Sequence, residues 1–361
     1  MSAPLRFVVL GLSLSSSWGN GHATTWRALL AALAAQGHRV LFLERDVPWY
    51  AAHRDLRDPS YCDLRFYDSV GDLARWRAEI ATADVVIVGS YVPDGVDVIA
   101  RVQRWARGTV AFYDIDTPVT LARLARGDRE YLAPEQIPGF DLYLSFTGGP
   151  TLEVLEQRWG AQRARALFCS VDPALYRPTG ATRRWDLGYL GTYSADRQPA
   201  LERLLIAPAR AMPQRRFVVA GAMYPDGIDW PANVERIAHL PPAAHADFYA
   251  AQSWTLNITR ADMRAAGYSP SVRLFEAASC GTPILTDDWP GLDTILRPDL
   301  ETLVVRSTED VCRGLALPEA RRAAIAIAAR AHVLSAHTAT QRARELVGHV
   351  RALRPVLAEV S

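Results

Sequence analysis

Between residues 267 and 287 the chain runs Gly267-Tyr268-Ser269-Pro270-Ser271-Val272-Arg273-Leu274-Phe275-Glu276-Ala277-Ala278-Ser279-Cys280-Gly281-Thr282-Pro283-Ile284-Leu285-Thr286-Asp287. The spacing predicts a helix over 270–280 and a strand over 283–286. Ser269 suits the N-cap, Pro270 suits the first helical position, where its missing N–H is no loss, and Gly281 with Thr282-Pro283 stops the helix after about three turns. Such a helix points its N-terminus at the carboxyl edge of a parallel sheet. Unpaired amides near Ser269 and Ser271, with the positive end of the helix dipole, make a diphosphate site that needs no lysine. Arg273 and Glu276, three residues apart, share a helix face. The guanidinium can hold a phosphate oxygen while the carboxylate accepts ribose hydroxyls; the alternative is a plain ion pair on a solvated face.

Working outward, strands are expected at 187–190, 217–220, 234–237 and 255–258, alternating with helices at 199–211 and 243–251. The first half shows the same alternation: strand 7–12, loop 13–22, helix 23–36 closed by Gly37, then strands 39–43, 85–88, 110–113 and 142–144. Near-continuous apolar strands say that both sheet faces are covered. The opening strand could pass for a short signal peptide, but its Gly-rich turn and following helix favour a strand. We therefore expect an α/β chain of two Rossmann-like domains facing across a cleft: an N-terminal domain over 1–172, a linker over 173–185 and a second domain over 186–330. The Ala- and Arg-rich end reads as helices packing back on the body, with a C-terminal helix over 331–361 that can cross to the first domain.

Composition narrows the chemistry. The 361 residues hold 40 basic and 39 acidic side chains, a net charge of +1, so no chain-wide field draws nucleic acid or an anionic membrane. Every basic residue is arginine. Schiff-base chemistry, Walker A phosphate binding and the kinase lysine are thereby excluded, and any phosphate must meet guanidinium forks, backbone amides or helix N-termini. The four cysteines have no metal or disulfide spacing, so no metal site is expected and a reducing cytoplasm fits. No run reaches a membrane span.

Candidate residues in the first half lie in the loop Trp18-Gly19-Asn20-Gly21-His22. Small residues there permit close approach of a ligand, and His22, at the helix start, can remove a proton from an acceptor hydroxyl. The competing reading is a helix residue bonded to backbone. Asp114 and Asp116 follow a buried strand at its carboxyl end. Either can orient His22, act as base or contact the acceptor; Asp116 is assigned mainly to capping the next helix and Asp114 to the cleft. Trp18, Trp185 and Trp254 can stack on a sugar or a base, or simply fill cores.

The 267–287 segment resembles the donor-binding signature of GT-B type glycosyltransferases, most closely the spore-maturation-protein-like group related to CgeB. The likeness extends to the 15–22 opening, to Asp114-Ile115-Asp116-Thr117-Pro118, and to the 186–193 restart with Arg197. It implies that Glu276 holds the nucleotide ribose, that Arg197, Arg273 and the amides near Ser271 hold the diphosphate, that Gly191 and Thr192 belong to the donor site, and that the base rests near His239 and Leu240. Two departures stand out. The first acid of the Glu-x7-Glu signature is Tyr268 here, and the family's diphosphate lysine must be replaced by Arg273 or Arg260. The implied activity is metal-independent transfer of a hexose or deoxyhexose from a nucleoside diphosphate sugar, such as a UDP-sugar. That sugar is a co-substrate, and no cofactor is expected. The acceptor is a glycan, small molecule or protein, not nucleic acid, and the stereochemical course is left open.

Three rivals share parts of this pattern. A dinucleotide oxidoreductase would use Gly19-x-Gly21 with Glu44 on the ribose, but Thr24 replaces the third glycine and the loop is long. A nucleotide-sugar epimerase would use the same two halves without an acceptor. A non-catalytic sugar-nucleotide binding protein would tolerate Tyr268.

Overall fold

The structure is a computed structural model that describes residues 3–19 and 21–353. The chain divides into two compact units, the second running Val171–Thr338 and the first comprising the described residues on either side of it.

The first unit is built on β1 (Arg6–Gly11), β2 (Arg39–Arg45), β3 (Asp63–Tyr67), β4 (Val85–Gly89), β5 (Thr109–Asp114), β6 (Leu142–Ser145) and β7 (Ala164–Ala166). They form a parallel sheet in the order β3-β2-β1-β4-β5-β6-β7. The apolar runs expected to be strands are its centre: β4 and β5 are buried at every position. The helix His22–Ala35 follows β1, ends ahead of Gly37 at φ 86°, and buries Trp26, Leu29, Leu30 and Leu33. β3 and β7 were not foreseen. They lie at the sheet edges, and the first alternates exposed and half-buried residues, so neither offers a continuous apolar run.

The second unit repeats the plan with β8 (Trp185–Leu190), β9 (Phe217–Ala220), β10 (Val234–Ile237), β11 (Gln252–Asn257), β12 (Ile284–Thr286) and β13 (Leu303–Val304), ordered β10-β9-β8-β11-β12-β13 and all parallel. Its core gathers Leu187, Leu204, Phe217, Trp254, Leu285 and Ile325. The expected helix over 199–211 is present, but Glu202–Ile206 forms a π-helical turn. Pro208, inside this stretch, has no N–H to continue the regular ladder.

The expected linker residues 173–185 group with the second unit, where Tyr176 is buried and Val171 bridges to Thr338. The terminal helical stretch breaks at 337–338. Helix Glu319–Ala336 stays with the second unit, and helix Ala339–Leu353 joins the first, burying Ala343, Leu346, Val347 and Val350.

Candidate active site

In both sheets the chain leaves the two central strands in opposite directions, a switch point that opens a crevice at their carboxyl ends. In the second unit that point lies between β8 and β11, where Leu256 stands beside Tyr189. Arg273 reaches it from helix Val272–Ser279. Its Nη1 donates to the Leu190 carbonyl at 3.1 Å, its Nη2 to Ile258 at 3.0 Å and its Nε to Asn257 Oδ1 at 3.4 Å. The guanidinium thus spans the ends of both strands. Arg197 donates from Nη2 to the Thr192 carbonyl at 2.7 Å, while its Nε is buried without a partner. Burial first, then the positive charges of Arg273 and Arg260, hold Arg197 below its ordinary value. Arginine ion pairs in this unit, such as Arg215–Asp186 at 2.7 Å and Arg306–Asp288 at 2.6 Å, leave these three out among the described residues. Guanidiniums that lack an ion-paired carboxylate repel one another, and a bound anion relieves that repulsion.

The loops around them allow no bulk. A Cβ on Gly191 would lie 2.7 Å from the Tyr189 hydroxyl and 3.1 Å from Arg273 Nη1. Gly221, at φ 152°, passes so close to the Gly191 carbonyl that any side chain would overlap it. Thr192 and Arg260 are exposed beside this edge. Thr259 donates its N–H and hydroxyl to the buried Asp287, at 3.1 and 2.8 Å, which fixes the turn leading to Arg260.

The helix begins two residues later than expected. Ser271 is the N-cap, without a side-chain cap bond, and Val272 is the first helical residue. Gly267 and Tyr268 both hold positive φ, 67° and 49°, and the Tyr268 N–H donates to Pro290 at 2.6 Å, so the turn persists through Ser269 and Pro270. Ser269 is therefore buried in the turn and is not the cap. Arg273 and Glu276 form no ion pair; Glu276 is buried at 4% exposure and its Oε2 accepts from the Tyr249 hydroxyl at 2.9 Å. The plain solvated pair is thereby excluded. Burial first, then the charge of Glu276, push the Tyr176 phenol far above the ordinary range. Tyr176 in turn meets His245, whose other nitrogen meets the Leu240 carbonyl. His239 is exposed and Leu240 half-buried.

In the first unit His22 opens helix His22–Ala35 at 7% exposure. Its Nε2 stands 3.7 Å from Asp116 Oδ2, its Nδ1 is buried without a partner, and Tyr91 meets it edge-on at 5.4 Å. Among the described residues neither ring nitrogen of His22 meets a backbone atom. The two aspartates exchange the places expected of them. Asp114 is fully buried, its Oδ2 accepting from Tyr143 at 2.7 Å and its Oδ1 from Thr120 at 2.7 Å and the Asp116 N–H at 3.3 Å. Burial outweighs these donors and lifts Asp114 to about 6. Asp116 heads helix Thr117–Ala125 without a side-chain cap bond and faces His22. Geometry favours Asp116 as the working acid, because its carboxylate keeps an open side.

Glu44, the ribose acid of the oxidoreductase rival, is wholly buried. It accepts from the N–H groups of Leu14 and Ser15, at 2.6 and 2.9 Å, and from the Ser15 hydroxyl at 2.6 Å. It holds the first loop in shape and has nothing left for a cofactor. Trp18 is 51% exposed and stacks on His53 at 4.3 Å; Gly19 and Gly21 are exposed, and Asn20 lies outside the described residues. Trp185 and Trp254 are core residues, Trp185 donating to Glu235 at 2.8 Å. Sequence reasoning missed Tyr91, Tyr176, Tyr249 and His245. The only local signal among them was Tyr91, a tyrosine at φ 62°, and dihedrals are not written in a sequence. Among the described residues no three His, Cys, Asp or Glu side chains converge on a metal position, and no helix is long and apolar enough to cross a membrane.

Two parallel sheets with arginine-lined and histidine-lined carboxyl edges define the class: a protein of the GT-B glycosyltransferase fold. Residues 197–348 match the family model described as glycosyl transferase-like. Across the whole chain the structure is similar to sucrose-phosphate synthase from Thermosynechococcus elongatus, at 16% identity and a TM-score of 0.72, covering 96% of this chain and 99% of that one. An alpha-glucosyltransferase in complex with UDP-glucose and DNA containing an abasic site aligns at 12% identity and a TM-score of 0.71, over 97% and 100% of the two chains. HepE of Anabaena, in complex with UDP and glucose, aligns at 12% and 0.68, over 96% and 100%. No curated protein matches the chain by sequence.

Proposed function

We propose that this protein transfers a hexose or deoxyhexose from a nucleoside diphosphate sugar, a UDP-sugar foremost, to an acceptor hydroxyl. The observation that carries this reading is the group Arg197, Arg260 and Arg273 at the switch point of the second sheet, none of which forms an ion pair among the described residues. Transfer breaks the bond between the anomeric carbon and the diphosphate oxygen. The charge that grows on that oxygen is met by guanidiniums and by the first amides of helix Val272–Ser279, with no metal required. Glu276 accepts from the ribose, and the base lies by His239 and Leu240. On an inverting course His22 takes the acceptor proton through Nε2 or Nδ1, and Asp116 steadies the imidazolium; on a retaining course the departing phosphate takes it. The UDP complexes of two structural relatives support the choice of uridine.

The acceptor is a glycan, a small molecule or a protein. Nucleic acid is left out because the chain's net charge is only +1, although one structural relative was solved with DNA. We place the activity in the cytoplasm and the chain near the CgeB-like group, on its free cysteines and its motifs respectively. Melting the protein with UDP-, dTDP- and GDP-sugars tests the donor. A midpoint raised by one nucleotide class supports the proposal, and a rise with NAD(H) alone defeats it. Release of nucleoside diphosphate with an acceptor library, read by mass spectrometry, separates transfer from epimerisation, which would interconvert the sugar without release.

A further inference from the structure

We infer, granted the transferase reading, that Trp18 is the acceptor platform and that its occupant is a saccharide, whose ring lies against the open face of the indole.

Among the large apolar side chains that stay exposed, two are tryptophans, Trp18 at 51% and Trp49 at 54%. They follow neighbouring strands at their carboxyl ends, Trp18 in the loop after β1 and Trp49 in the short helix Pro48–Ala51 after β2. Trp18 also stands just ahead of His22 in the same loop. Its ring stacks nearly flat on His53, at 4.3 Å and 14°. A carbonyl can only accept, so His53 Nδ1 carries hydrogen and donates to the Trp49 carbonyl at 2.8 Å, which sets the imidazole's orientation. The Ser16 hydroxyl donates to the His53 carbonyl at 2.8 Å and accepts from the Trp18 N–H at 3.3 Å. Asp55 and Leu56 donate their N–H groups to the Ser15 carbonyl at 3.1 and 3.0 Å. An exposed indole on a loose loop would need no explanation. Here the loops after β1 and β2 are fastened to each other through Ser15, Ser16 and His53, so the indole is held in one place at the surface. An aromatic ring fixed in advance loses little entropy when a ligand covers it. With His53 against one face, the other is left for that ligand.

The polar groups beside the indole say which ligand. The Ser17 hydroxyl donates to Asp55 at 2.5 Å, and Arg27 reaches the same carboxylate at 2.5 and 3.3 Å. Asp55 is still exposed, so lone pairs of its carboxylate face water. An indole edged by a carboxylate, a hydroxyl and a guanidinium suits a sugar: the C–H face of a pyranose packs on the ring, and its hydroxyls meet the polar edge. A phenol would stack but leave that edge unmet. A membrane surface calls for unpaired cations, and here Arg27 is paired with Asp55 and Arg54 with Asp46, at 2.5 and 2.7 Å.

The test is saturation-transfer NMR on the protein held in saturating UDP, with the methyl glycosides of glucose, galactose, mannose, N-acetylglucosamine and rhamnose as probes. At least one should bind the wild type, with saturation strongest on the ring C–H protons. Trp18→Ala should weaken that glycoside about tenfold, the loss of a stacked aromatic contact, and leave UDP affinity within about twofold. Trp18→Phe keeps a smaller ring and should recover part of the loss. His53→Ala should weaken the glycoside too, and His53→Phe, which restores a ring behind the indole, should bind it more tightly than His53→Ala does. Equal glycoside binding by the wild type and Trp18→Ala overturns the inference. So does a UDP-loaded wild type that takes para-nitrophenol but no glycoside, or one that sediments through Trp18 with vesicles of phosphatidylcholine and phosphatidylglycerol in equal parts. Failure of UDP itself to bind would defeat the transferase reading, whereas UDP bound with no glycoside bound defeats the saccharide assignment alone.

Discussion

Arg273 lies across the ends of β8 and β11 with backbone carbonyls as partners, so its charge is held in place but not neutralised. Arg273→Ala should therefore weaken UDP-glucose binding by about 1.5 to 3 kcal/mol, the loss expected of a charged hydrogen-bond donor. Calorimetry showing wild-type affinity would remove Arg273 from the site. His22→Ala and Asp116→Asn should both depress turnover while leaving donor affinity within twofold of wild type, about the level of noise in such comparisons. Single-turnover kinetics with normal rates would return the pair to a structural role. Asp114 makes a different prediction. Its folded value, about 6, lies above the ordinary 3.8 because burial disfavours the charged form. Its contribution to stability is thus fully present below the ordinary value and is lost as pH rises through about 6. Relative to Asp114→Asn, the wild type should lose about 2 to 3 kcal/mol between about pH 4 and about pH 7, measured by denaturant unfolding. A constant difference across that window would show that Asp114 stays ionised.

At the scale of elements, the loops after β8 and β9 interlock at Gly221, whose position against the Gly191 carbonyl leaves no room for a side chain. Gly221→Ala combines a left-handed backbone with an overlap on the Gly191 carbonyl. It should displace both loops, and nucleotide binding should vanish at temperatures where circular dichroism still reports folded protein. Much of this region was legible. The Gly281 stop, the helix preceding it and the strand after it all follow from local chemistry. The helix start was not, because Tyr268 holds a conformation that tyrosine rarely adopts, with its N–H bonded to the distant Pro290. The roles of Asp114 and Asp116 were likewise hidden. Two acids two residues apart at a strand end look alike until the partners Tyr143 and Thr120, on other elements, pick one for burial.

For the molecule as a whole, the last helix offers the sharpest test. Ala339–Leu353 belongs to the first unit and packs on His22–Ala35, the helix that carries His22. Removing residues from 339 onward should speed hydrogen exchange in 22–35 and leave helix Val272–Ser279 protected; equal exchange in both would contradict the division into units. Local patterning dictates the two parallel sheets, because continuous apolar strands alternating with helices have few other ways to cover both faces. Composition likewise dictates that any phosphate here meets arginine, since no lysine exists to meet it. Which charges lack an ion-pair partner follows instead from long-range packing. Arg197 and Arg273 come from segments far apart in the chain, and whether a carboxylate stands near them depends on how strands β8 and β11 lie side by side, information that no local pattern carries.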